Sequence, residues 1–283
     1  MQTYHECIPC FLTQALNAAR LATSDTAVHE QVLRRVLKDT AEMPLNQPPP
    51  VMGQRIHRII RKAAGSADPY LEVKNHYNTF ALSLYPKLRE ILSQSEHPLE
   101  TAIRFSIAGN IIDFGLARSI DQQEVSAVLE QSLTQELVGD VAAFQTALAD
   151  ARDILFLGDN AGEIVFDRLL IENLPENNIT YVVRGAAVIN DATRADAEAT
   201  GISGIVDVMD NGSDAPGTLL DQCSGDFRQA FDEADLVVAK GQGNFESLSD
   251  IKKRIFFIFK VKCPVVAAHT GAPEGSMMIY EHF

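Results

Sequence analysis

A chain of 283 residues that is 46% hydrophobic and 22% charged can bury a large core, enough for one big domain or two ordinary ones. Its formal net charge of -14 opposes binding to DNA or RNA phosphates, so nucleic acid is excluded as a partner. No apolar run approaches the roughly 18 residues of a membrane span, and the amino-terminal His5, Glu6 and Pro9 lack the basic-then-apolar pattern of a signal peptide; a cytoplasmic chain with no membrane partner is expected.

The first half reads as helical. Apolar residues recur at three- and four-residue steps in Phe11, Leu12, Ala15, Leu16 and Ala19, and again in Val125, Val128, Leu129 and Leu133. Ser24 and Asp25 are N-cap candidates for a helix running to about Met43, and Pro48-Pro49-Pro50 breaks the chain before another helix from about Met52. Asp68 with Pro69 at a first helical position starts the next, which should bend or stop near Pro86; a further helix is expected from about Pro98 to Ala117. No strand is expected before about residue 150. Beyond it, short apolar runs alternate with helical patterns, and strands are predicted at Asp153–Leu157, Ile179–Val183, Ile205–Met209, Leu236–Ala239 and Val265–Ala268. The spacing leaves room for crossover helices, the signature of a mostly parallel α/β sheet. Two domains are therefore expected, an all-helical one over 1–148 and a Rossmann-like α/β one over 149–283. The second half is the more acidic: residues 1–150 balance to -4 and residues 151–283 to -10. That suits cation binding, and equally plain solubility.

Three polar clusters fall at the ends of predicted strands, where ligands sit in doubly wound sheets. In Gly158-Asp159-Asn160-Ala161-Gly162-Glu163, a carboxylate and an amide oxygen are neighbouring hard donors suited to Mg²⁺, Mn²⁺ or a similar cation; the competing reading makes Asp159 a helix cap. Past the second strand, Asp191 could complete a coordination shell and Arg184 could grip a phosphate, although Asn190 or Asp191 could also cap the helix that ends near Gly201. Lys240-Gly241-Gln242-Gly243-Asn244 offers a point charge and backbone amides to a phosphate, without being a Walker A loop. In the helical half, Asn110 and Asp113 share one face of a segment otherwise almost wholly apolar, and such polar groups need partners: another helix, a substrate or the cation site. Of the four cysteines, Cys7 and Cys10 form a C-x-x-C. With His5 they could bind a soft metal or sense redox state, but a zinc site there would have to borrow Cys223, Cys263 or His269, so packed or redox-neutral thiols on a first helix are the expectation.

Taken together, C-I-P-C, G-N-I-I-D-F-G, G-D-N-A-G-E-I-V-F-D, V-I-N-D-A-T and A-K-G-Q-G-N-F-E occur in one order across nearly the whole chain. The chain resembles the DUF89 family, the metal-dependent damage-control phosphatases, and within it the compact prokaryotic branch with an N-terminal C-x-x-C. The resemblance implies a helical domain packed on a Rossmann-like domain, with a divalent cation (Mg, Mn, Co or Ni) at the cleft. It implies Asp159, Asn160 and Asp191 as metal ligands, and Lys240 and Asn110 at the phosphate end, with Glu163, Asp113 and Asn244 as neighbours. The partner it implies is a small phosphorylated metabolite.

The mechanism expected from these residues is phosphomonoester hydrolysis by metal-activated water, with Asp159, Asp191 and Lys240 catalytic. Attack by Asp159 itself is disfavoured because Ala161, not a second Asp, stands two residues on. An S-adenosylmethionine-dependent methyltransferase is the alternative enzyme, opposed by Arg184 where an acidic residue should end the second strand. A non-catalytic metal or metabolite-binding module is the third reading.

Overall fold

Pro48, Asp25 and Asp140 show how the local chemistry sets the elements of this computed structural model, which describes residues 1–110, 122–175 and 177–283. The helices before the sheet are α1 (Cys7–Ala22), α2 (Thr26–Glu42), α3 (Pro49–Ala64), α4 (Leu71–Ser93), α5 (Pro98–Gly109) and α6 (Gln122–Thr134). Asp25 caps α2 by accepting the Ala27 N–H, and Pro49 and Pro98 occupy first-turn positions where a missing N–H costs nothing. Pro86 lies inside α4 and does not end it. The turns on both sides bury Ala81, Leu88 and Leu92, and that packing outweighs the local penalty. Asp113 and the expected end of the fifth helix at Ala117 lie outside the described residues.

The α/β part comprises β1 (Leu137–Val138), α7 (Val141–Asp150), β2 (Asp153–Leu157), α8 (Glu163–Ile171), β3 (Asn178–Val183), α9 (Arg194–Thr200), β4 (Asp207–Asp210), α10 (Gly225–Glu233), β5 (Leu236–Lys240), α11 (Gln242–Leu248), β6 (Ile255–Lys260), α12 (Pro264–Thr270) and β7 (Met277–His282). The sheet runs β1-β7-β6-β5-β2-β3-β4. β2 to β6 are mutually parallel, and β7 turns back against β6. The mixed, mostly parallel α/β class is as expected.

Several segments correct the sequence reading. Val265–Ala268 is not a strand but part of α12: Pro264 sets its first turn and Gly271, at φ 74, closes it in the left-handed conformation. The strands it displaced are β6 and β7. β6 carries Ile255-Phe256-Phe257-Ile258-Phe259, buried on both faces, so it shows no alternation to mark it. β1, before residue 150, is a two-residue edge pairing with β7.

Alternate residues of each strand enter different layers. Ile154, Phe156, Tyr181, Val238 and Phe256 face the core shared with α4, α5, α7 and α8, while Leu155, Leu157, Val182, Val237 and Phe257 face the core under α10 and α11. α1, α2 and α3 close a separate cluster around Ala15, Val32, Val36 and Ile56. Arg58 and Arg61 on α3 both reach Asp214, which fastens that trio to the loop after β4.

Candidate metal and phosphate site

From β2 the chain moves outward through β3 to β4, then returns to place β5 on the other side of β2. The crevice between β2 and β5 is thus the switch point where doubly wound sheets bind ligands. Gly158-Asp159-Asn160 leaves β2, Asn190-Asp191 follows β3, and Lys240-Gly241 ends β5. The first two loops are stitched together: Ala161 N–H donates to the Asn190 carbonyl and Ala192 N–H to the Asp159 carbonyl, each at 2.8 Å, around an antiparallel bridge between Asn160 and Asp191. Neither Asp159 nor Asp191 is a helix cap. α8 starts after Gly162, and α9 is capped by Thr193 with Asp196 in a reciprocal box.

The side chains form one connected set. Asn110 Nδ2 donates to Asp159 Oδ2 (3.0 Å) and Glu163 Oε2 (2.6 Å), and Asn160 Nδ2 reaches the same two oxygens at 2.8 and 2.9 Å. Arg184 Nε donates to Asp191 Oδ2 at 2.6 Å, and its Nη2 lies 3.6 Å from Asp159 Oδ1. Arg184 Nη2 and Asn110 Oδ1 are buried with no hydrogen-bond partner among the described residues. Lys240 is fully buried, and its Nζ contacts Glu163 Oε1 (2.5 Å), Asp167 Oδ1 (2.6 Å) and the Ser106 carbonyl (3.2 Å). Asn244 is likewise buried, donating to the carbonyls of Gly158 and Lys240 and accepting from Thr218 and Arg184. Gly241, at φ 78, lies so close that a Cβ there would overlap the Asp159 carboxylate.

Burial, then Glu163 and Asp191, push the Asp159 carboxyl well above the usual carboxylate range, against the pull of Arg184 and Lys262. Burial also raises Asp191 despite Arg184, and raises Asp167 despite Lys240. Burial pulls Lys240 down, but Asp167 and Glu163 more than offset it and hold it charged. Beside Asp159 the cluster is therefore short of positive charge.

Among the described residues no three His, Cys, Asp or Glu side chains make a ready metal shell. The oxygen set here is mixed: two carboxylates, Asp159 and Asp191, with the amides of Asn160 and Asn110, the latter holding a buried oxygen with no partner among the described residues. Hard oxygens and an excess of negative charge fit a divalent cation of the Mg²⁺ or Mn²⁺ kind.

Asp159, Asn160, Asp191 and Asn110 open onto a cavity of about 860 Å³, whose other walls come from α1, α3, α11 and the segment after β6. Lys240, Arg184, Glu163 and Asn244 are not on its wall and stand behind the loops. Lys260 and Lys262 are the cations that line it among the described residues. Lys262 was invisible in the sequence because β6 was; Asp167, one helical turn after Glu163, was legible only as part of the G-E-I-V-F-D run.

A family model described as the damage-control phosphatase ARMT1-like domain matches residues 3–278. A damage-control phosphatase of Archaeoglobus fulgidus is 35% identical, with 96% of each chain covered. A damage-control phosphatase of Pyrococcus horikoshii is 32% identical over 98% of this chain and 97% of that protein. The crystal structure of a DUF89 family protein from Pyrococcus horikoshii superposes with a TM-score of 0.92, at 29% identity and with 100% of both chains covered. With the motifs in order and the fold shared from end to end, the chain belongs to the damage-control phosphatase ARMT1-like family.

Proposed function

We propose that this chain hydrolyses phosphate monoesters of small metabolites with a divalent cation held by Asp159, Asn160 and Asp191. The observation that carries the reading is the meeting of these three side chains at the β2/β5 switch point, on the wall of a cavity large enough for a sugar phosphate. A cation bound there supplies Lewis acidity toward the phosphoryl group and a water of lowered pKa.

The chain's own residues supply the rest. Lys262 is exposed on the cavity wall and lowers the Asp159 carboxyl electrostatically, so it is placed to meet the charged phosphoryl oxygens. Asn110 orients the carboxylates of Asp159 and Glu163 together through one amide group. Lys240 acts from behind the wall: it neutralises Glu163 and Asp167 and so fixes the first turn of α8 against β5. Arg184 holds Asp191 in register with Asp159, and Asn244 supports Arg184.

A screen of sugar phosphates and cofactor phosphates, repeated with Mg²⁺, Mn²⁺, Co²⁺ and Ni²⁺, is expected to give metal-dependent release of inorganic phosphate from at least one ester class. Binding of S-adenosylmethionine without a metal requirement, and no phosphate release with any metal, would refute it.

A further inference from the structure

Three of the four cysteines have been gathered onto the wall of the same cavity. Cys7 opens α1 and is half-buried, Cys10 is one turn on and exposed, and Cys263, half-buried, is the residue that precedes α12. Cys263 is 253 residues beyond Cys10 in sequence, so the fold and not the local chain brings it to the pair. Glu246 lines the wall beside them: Gln242 Nε2 donates to Glu246 Oε1 at 2.8 Å and contacts Cys263 Sγ at 3.6 Å. Cys223 is the contrast, buried away from the cavity with its Sγ donating to the Leu219 carbonyl. The three thiols do not close on a common point as a metal shell would.

The C-x-x-C spans the first turn of a 16-residue helix. Residues three apart in a helix have Cα atoms about 5 Å apart, inside the roughly 4.4–6.8 Å that a disulfide accepts. The turn carrying Cys7 is the helix's first, where the amide hydrogen bonds are fewest and small adjustments are easiest.

We propose that Cys7 and Cys10 are a reversible dithiol–disulfide site on the wall of this cavity, oxidised by low-molecular-weight disulfides. Cys10, the exposed thiol, attacks first: its sulfur bonds to one sulfur of the incoming disulfide, the old S–S bond breaks, and the leaving thiolate takes up the proton that Cys10 gave. Cys7 then attacks the mixed disulfide, forming the Cys7–Cys10 bond and releasing the second small thiol. In sum, two protein thiols lose two electrons and two protons, and one disulfide is reduced to two thiols. Burial raises both thiols, with Glu246 and Cys263 adding to it, so the attacking thiolate is a minor form near neutral pH and exchange quickens as pH rises. The site does not depend on the phosphatase reading.

The test equilibrates the whole protein in glutathione buffers with the reduced-to-oxidised ratio stepped over several decades, followed by acid quench, denaturation, alkylation and peptide mass mapping. The expected result is a loss of two alkylatable thiols, both on the peptide bearing residues 7 and 10, recovered with dithiothreitol and absent in Cys10→Ser. A Cys223→Ser variant should titrate like the parent. Four free thiols at every ratio, or a disulfide that maps to Cys263 in the parent protein, would overturn the assignment.

Discussion

Each side chain at the site answers to a single electrostatic fact: more negative than positive charge faces the cavity beside β2. Asp159 feels it most, its carboxyl pushed up by burial and then by Glu163 and Asp191. Asp159→Asn keeps the shape and removes the charge, so divalent-cation affinity by titration calorimetry should fall by at least tenfold, as for loss of a charged partner worth about 1.5–3 kcal/mol. Lys262 meets the substrate from the open side, so Lys262→Ala should raise KM about tenfold or more with metal affinity nearly kept. A variant that lowered metal affinity as much as Asp159→Asn would make Lys262 a structural partner of the carboxylates instead. Gly241 tests the geometry. Gly241→Ala must displace the Asp159 carboxylate, against a positive φ that also strains it, and should abolish activity while circular dichroism stays native.

At the scale of elements, the turn into α8 is fixed by two devices. Asn78 on α4 accepts the Gly162 N–H at 2.7 Å, and Lys240 on β5 binds Glu163 and Asp167, one turn apart on α8. Removing that ammonium leaves two buried carboxylates uncompensated, so Lys240→Met should cost about 3–5 kcal/mol in denaturant unfolding. A loss under about 1 kcal/mol would show that water reaches the pair. The loops bearing Asp159 and Asp191 were legible as strand ends because β2 and β3 are short apolar runs followed by glycine or arginine. β6 was not, since a strand buried on both faces has no period, and Val265–Ala268 misled because its β-branched residues follow a proline that starts a helix. The role of Lys240 was half-legible: a lysine at a strand end reads as a phosphate receptor, and only its distances to Glu163 and Asp167 turn it inward.

In the whole molecule, α1 and α3 wall the cavity, α2 packs against both, and α3 is tied to the sheet half through Arg58 and Arg61. Burial, then Arg61, lowers the His57 imidazole on α3 to about 3 from an ordinary 6.5. A depressed histidine contributes stability above its unfolded pKa that is lost as pH falls, so unfolding free energy should decline from about pH 6.5 toward 3. Glu246 acts oppositely. Burial lifts it to about 7 from 4.5, so its neutral form favours the fold below about 4.5 and that contribution disappears as pH rises through 7. Glu246→Gln should flatten the upper slope and leave the lower one, as read by denaturant melts across pH. The account rests most heavily on the Asp159, Asn160 and Asp191 set, and one measurement addresses it directly. Hydrolysis of p-nitrophenyl phosphate is followed after chelation and on return of Mn²⁺, for the parent, Asp159→Asn and Asp191→Asn. Activity that vanishes with chelator, returns with Mn²⁺ in the parent and stays at least a hundredfold lower in both variants is the predicted result; chelator-resistant hydrolysis, or full activity in either variant, would contradict it.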